Sequence, residues 1–202
     1  SAERAAPAIW YGEAVESEGE RSGVGDRSLA ALKIHLLGRF EVVRGDTPVP
    51  VSAWRRRRPA DLLKLVALSP GRRLSRDRII ETLWPDKDPH SGANNLHRAL
   101  YDLRQVLGGR WVDVDHGLVS LRLDAWVDVD AFEAAVASAR PEALGAAVGL
   151  YKGDLSPEDP DSTWLAPRRA SLRRAFADAA LPLAAGLAGR GERTAAVPLL
   201  RR

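Results

Sequence analysis

The spacing of hydrophobic residues changes several times along this chain, and each change marks an element. From Leu32 the apolar residues come in short strand-like runs, Lys33-Ile34-His35-Leu36-Leu37 and then Phe40-Glu41-Val42-Val43-Arg44, separated by Gly38. Such runs bounded by turn residues predict β-strands. Gly45-Asp46 marks a turn, and Pro48-Val49-Pro50-Val51 predicts a short edge strand, because proline cannot donate to an interior ladder. A small antiparallel sheet is therefore expected before any helix.

Three helical periods follow. Residues 59–68 offer Leu62, Leu63, Leu65, Val66 and Leu68 as a core face and stop at Ser69-Pro70-Gly71. Ser75 is a natural N-cap for the second helix, which turns Ile79, Ile80, Leu83 and Trp84 inward before Pro85. Asp88-Pro89 supplies N-cap and N1 for the third, which runs to Leu107 ahead of Gly108-Gly109. There Leu96, Leu100, Leu103 and Leu107 form a narrow apolar stripe. At about 100° per residue, Asn94, Arg98, Tyr101 and Gln105 fall on the opposite face, with His97 and Arg104 at its border. The stripe spans only about two heptads and is a core seam, not a zipper.

Two alternating runs, Trp111 to Asp115 and Leu118 to Leu123, flank His116-Gly117 and predict a β-hairpin. Sheet, three helices and hairpin, in that order, make an α+β winged helix-turn-helix with a leading antiparallel sheet. From Trp126 onward the pattern reads as helical throughout. Val129, Phe132 and Val136 mark one helix, and 142–151 a second. A turn-rich stretch leads through Trp164 into a long third helix to Leu187, and a last helix begins near Thr194. Antiparallel helix pairs with small-residue turns suggest the opening of a helical repeat.

Composition narrows the function. The 202 residues are 45% apolar and 28% charged, as in ordinary globular chains. With no cysteine, disulfides, zinc ribbons, iron–sulfur sites and thiol nucleophiles are excluded. The longest apolar run, 179–188, is too short for a membrane span and holds Pro182 and Gly186. Residues 1–28 lack the layout of a signal peptide and read as a flexible lead-in with one apolar island, Ile9-Trp10-Tyr11. A cytoplasmic, nucleoid-associated protein is expected. The chain starts at Ser1, contains no methionine and stops within what reads as an unfinished helix, so it is read as a piece of a longer polypeptide.

The net charge of +3 divides unevenly. Residues 1–28 hold three basic and six acidic residues, 29–123 seventeen and ten, and 124–202 ten and eleven. The excess positive charge therefore sits in the middle block, as expected of a nucleic-acid-binding unit. Arginine outnumbers lysine 26 to 4, a bias that a GC-rich genome also produces. Asp113-x-Asp115-x-Gly117 has glycine where a calcium loop needs an oxygen ligand. His35, His90, His97 and His116 show no metal-ligand spacing. Without a phosphate-cradling glycine loop or a serine elbow, no enzyme, metal or cofactor is expected.

Several motifs resemble one family. Leu36-Leu37-Gly38-Arg39-Phe40-Glu41-Val42 is similar to the opening of the DNA-binding domain of Streptomyces antibiotic regulatory protein (SARP) activators. Leu83-Trp84-Pro85-Asp86, Ala93-Asn94-Asn95-Leu96-His97-Arg98-Ala99-Leu100 and Leu103-Arg104 resemble its second and third helices. Val127-Asp128-Val129-Asp130-Ala131-Phe132, Leu150-Tyr151-Lys152-Gly153-Asp154-Leu155 and Trp164 resemble its bacterial transcriptional activator domain (BTAD). The resemblance implies an OmpR-like winged helix over 29–124 and, over 125–202, a tetratricopeptide-like all-α domain. The chain departs from the family in its flexible lead-in over 1–28 and in a helical domain cut short after its first part. It also implies an activator that binds repeated promoter half-sites on double-stranded DNA and engages RNA polymerase, with a possible homodimer through the helical domain.

On this reading the third helix enters the major groove, with Asn94, His97 and Arg98 toward base edges and Tyr101, Arg104 and Gln105 toward the backbone. Arg55, Arg56, Arg57 and Arg58 are candidates for phosphate or polymerase contact. Arg76 and Arg78 are phosphate candidates at a helix N-terminus. His116 and Gly117 form a wing tip that probes the minor groove, although Asp113 and Asp115 oppose deep insertion. The alternative is a protein-interaction module whose helical half does the work while the winged helix docks protein.

Overall fold

The computed structural model describes residues 31–138 and 140–191. The lead-in expected over 1–28, with Ile9-Trp10-Tyr11, and the helix expected from Thr194 lie outside the described residues. The architecture is α+β, strands in sheets followed by helices, a winged helix leading into a helical half.

Strand β1 (Leu32–His35) buries Leu32 and Ile34 and pairs antiparallel with β2 (Glu41–Arg44), setting Ile34 opposite Val42. β3 (Thr47–Pro48) forms the outer edge. Of the expected strand over 48–51 only Pro48 belongs to it, because the chain turns into a 3₁₀ turn at Val51–Ala53.

Helices α1 (Arg57–Ala67), α2 (Arg76–Leu83) and α3 (Pro89–Leu107) follow. A short strand, β4 (Arg73–Ser75), precedes α2 and joins β5 (Val112–Asp115) and β6 (Leu118–Leu121) in a second sheet of order β4-β6-β5. Sequence periodicity misses β4, since one apolar residue, Leu74, cannot show alternation. The hairpin turn is at His116 (φ 45°) and Gly117 (φ 77°), the paired left-handed residues of a two-residue hairpin.

The expectation that everything from Trp126 is helical is wrong at its first step. Trp126–Val127 forms β7, parallel to β1 with Lys33 opposite Trp126, and completes a sheet of order β3-β2-β1-β7. Two residues have no period to read; the open edge of β1 draws them into the sheet. Leu36 and Leu37, expected in the first strand, leave it because the Asp128 carboxylate captures their amides. Leu36 N donates to both Asp128 oxygens at 3.0 and 2.8 Å, and Leu37 N donates to Oδ2 at 2.9 Å. Burial pushes this carboxyl above its ordinary pKa, and the two amides pull against that shift.

The helical half comprises α4 (Asp128–Ser138), α5 (Pro141–Leu150) and α6 (Ala166–Gly189). Tyr151 holds it together, its ring 5.6 Å from Phe132 and stacked at 4.4 Å on Phe176. Its buried residues are continuous with those of the winged helix. Leu37 bridges Leu155, and Gly38 N donates to Asp154 O at 2.9 Å. At Gly38 (φ 92°) a Cβ would stand 2.8 Å from Lys152 Cβ, so only glycine fits this backbone approach. Across the same junction, buried Lys64 on α1 bonds Asp159 at 2.6 Å and also Glu158.

Asp128→Ala leaves two buried amides without an acceptor, at about 1–3 kcal/mol each, partly offset by removing a desolvated carboxylate. Urea unfolding is expected to show a net loss of about 2 kcal/mol. An unchanged midpoint would mean that the junction does not depend on this acceptor.

Candidate nucleic-acid interface

The N-terminus of α3 is built by Asp88, whose side chain accepts from Ser91 N at 3.0 Å, with Pro89 at the first helical position. Hydrogen bonds from Ser91, first its side chain and then its backbone, hold the Asp88 carboxyl below the ordinary carboxylate range. The four stripe leucines, Leu96, Leu100, Leu103 and Leu107, are all buried. Gly92 sets how closely α3 approaches α2, since a Cβ there would lie 2.4 Å from Ile80 Cγ2.

With the leucines buried, the opposite side of α3 faces outward. Asn94, His97, Arg98 and Gln105 are exposed, and Tyr101, at 60% exposure, is among the most exposed large apolar side chains. Asp102 is half-buried, so the centre of this face carries no acid. Arg98 makes no ion pair among the described residues. Arg104 is half-buried and its Nε donates to Val112 O at 3.3 Å, tying α3 to the first wing strand.

The neighbouring candidates divide by partner. Ser75 Oγ accepts from Arg78 N at 3.3 Å, so the expected cap of α2 is present. Arg78 pairs with Glu81 at 3.1 Å. Arg76 is half-buried, and its backbone N donates to Gly117 O at 2.9 Å, which holds the wing tip against the start of α2. His116 projects from that tip almost fully exposed, 3.6 Å from Asp115.

The arginine run splits in two. Arg55 and Arg56 are exposed and make no ion pair among the described residues. Arg57 is held by Asp159 at 2.9 Å and by Asp61 at 3.6 Å. Arg58 reaches Asp61 at 3.2 Å and lies 5.7 Å from the Trp84 ring. Burial raises the pKa of the Asp61 carboxyl, with Arg57 the foremost of the cations opposing it.

Sequence reasoning missed Arg72, which positions the base of the wing. It sits at φ 54°, donates to Asp130 at 2.6 and 3.0 Å, and donates to the carbonyls of Arg122, Leu123 and Ala125. Its only sequence signal was the adjacent Pro70-Gly71 turn.

No family profile and no curated protein matches the sequence. Among solved structures, the fold is similar to that of Mycobacterium tuberculosis EmbR, in a complex with a low-affinity phosphopeptide, at a TM-score of 0.69 and 21% identity. The match covers 85% of this chain and 49% of that one, so this chain spans about half the length of EmbR.

Gly92→Ala gives a sign test of the α2–α3 contact. Alanine in an exposed helix interior gains about 1 kcal/mol over glycine, whereas overpacking costs about 1–3 kcal/mol. A net loss in thermal or urea unfolding is expected, reduced when Ile80→Ala opens the space. A gain in stability for Gly92→Ala alone would contradict the contact.

Proposed function

We propose that this chain is a sequence-specific double-stranded DNA-binding transcriptional activator of the SARP type, with α3 as its reading element. The observation that carries the proposal is the exposed side of α3, where amide, imidazole, guanidinium and phenol groups stand together without a central acid. A helix of this width fits the major groove, and arginine and asparagine form bidentate bonds with guanine and adenine edges. Asn94, His97 and Arg98 take the base-reading role. Tyr101 and Gln105 lie further along the helix, toward the backbone.

Electrostatics extend the surface. Arg55 and Arg56 have no carboxylate partner among the described residues and are the better phosphate ligands of the arginine run, since Arg57 and Arg58 must first leave Asp61 or Asp159. Arg76 and Arg78 flank the N-terminus of α2, where the helix dipole favours a phosphate. The hairpin tip lies beside them and follows the minor groove. The partners in this reading are repeated promoter half-sites and RNA polymerase, with homodimerisation through the helical half, on the nucleoid in the cytoplasm. The family motifs in the sequence and the fold shared with EmbR support the reading at the level of architecture.

Anisotropy titrations on a duplex selected from a random pool test it. Affinity is expected to fall steeply with salt, with a log–log slope of about −0.9 per neutralised phosphate. Arg98→Ala should lose about 1–3 kcal/mol on the selected site and relax preference at one base position, while Arg56→Ala should weaken all sequences alike. Absence of binding at low salt, or binding indifferent to salt, would favour the protein-docking alternative. Equal losses for Arg98→Ala on selected and random DNA would remove Arg98 from the reading set.

A further inference from the structure

A groove of about 470 Å³ opens on the flank of the winged helix, between β2, the 3₁₀ turn and α1. Its apolar wall is formed by Phe40, Val42, Val49, Val51 and Trp54. Val51 is 87% exposed, and the rings of Phe40 and Trp54 meet edge-on at 4.9 Å. Most charges around the groove are already matched: Arg39 to Glu41 at 2.7 Å, Arg57 to Asp159 at 2.9 Å, and Lys64 to Glu158 and Asp159. What remains is the largely apolar stretch Val51 to Trp54, followed directly by two cations, Arg55 and Arg56, that are unmatched among the described residues.

The same chain contains one segment with the complementary order. Ile9-Trp10-Tyr11 is followed by Gly12-Glu13-Ala14-Val15-Glu16-Ser17-Glu18-Gly19-Glu20, which holds four carboxylates and no basic residue. Twenty residues separate Tyr11 from Leu32. Fully extended they reach about 70 Å, so chain length does not limit access to the groove.

We infer that residues 9–20 dock in this groove, with the aromatic pair against Val51 and Trp54 and the glutamates on Arg55 and Arg56. Burial of a tryptophan and a tyrosine supplies the attraction, and the two unmatched guanidiniums select an acidic strand over a neutral one. The consequence for DNA rests on the role proposed above for Arg55 and Arg56. Docking covers those two cations, so the segment competes with phosphate and weakens DNA binding.

The absence of cysteine makes a direct test available. Ala8→Cys in the full chain carries a single nitroxide label, and paramagnetic broadening is read on the backbone amides of ¹⁵N-labelled protein. The expected result is broadening at Val51, Trp54, Arg55 and Arg56, lost when Glu13, Glu16, Glu18 and Glu20 are all replaced by glutamine. No selective broadening, or broadening centred on α3, overturns the proposal. So does broadening seen only between a labelled chain and a separate ¹⁵N chain, which would make the occupant a second copy. The same glutamine variant is expected to bind DNA several-fold more tightly at low salt. Unchanged DNA affinity in that variant, with the broadening present in the parent chain and lost on the glutamine substitutions, would leave docking supported and remove Arg55 and Arg56 from the DNA contacts.

Discussion

The rotation of α3 about its own axis is set by four leucines. Burying Leu96, Leu100, Leu103 and Leu107 is worth roughly 1.5–3 kcal/mol per side chain. Together they outweigh any single polar contact on the far side of the helix. Once that seam faces the core, geometry alone directs Asn94, His97, Arg98, Tyr101 and Gln105 outward. Gly92 against Ile80 then fixes the distance of α3 from α2, and Arg104 ties its C-terminal half to the wing. The outward face therefore follows from packing underneath it, with no need of stabilisation by its own polar groups.

A second constraint joins the winged helix to the helical half. No open linker separates them: β7 leaves the wing, completes the first sheet, and leads at once into Asp128, which bonds the amides at the end of β1. Arg72 gathers three carbonyls and Asp130 at the same corner, and Lys64 reaches across to Glu158 and Asp159. Asp128, Lys64 and Asp159 are buried, so breaking one of their bonds leaves a partner unsatisfied in a low dielectric, whereas Asp130 and Glu158 stay exposed. The helical half is thus tied to α1 and β1 through direct contacts.

Much of this was legible in the residues. Ser75 and Asp88 announce helix starts, the leucine spacing gives the inward face of α3, and His116-Gly117 marks the hairpin. What escaped was short or non-local. Leu74 and the pair Trp126-Val127 are too few to display a period, and both become strands only because a distant edge is waiting for them. The division of the arginine run was equally hidden, because Asp159, which holds Arg57, lies about a hundred residues away in sequence. Exposure of α3 could be anticipated from one helix; internal pairing of cations depends on the fold.

The central claim is that the outward side of α3 meets base edges in the major groove, and chemical interference on a bound duplex tests it most directly. Methylation of guanine N7 blocks a major-groove acceptor, whereas methylation of adenine N3 blocks the minor groove. The account predicts that N7 methylation at a few clustered guanines abolishes binding by the intact chain, with at most a small effect of N3 methylation near the wing. Interference confined to adenine N3, or none at either position while binding persists, would contradict it.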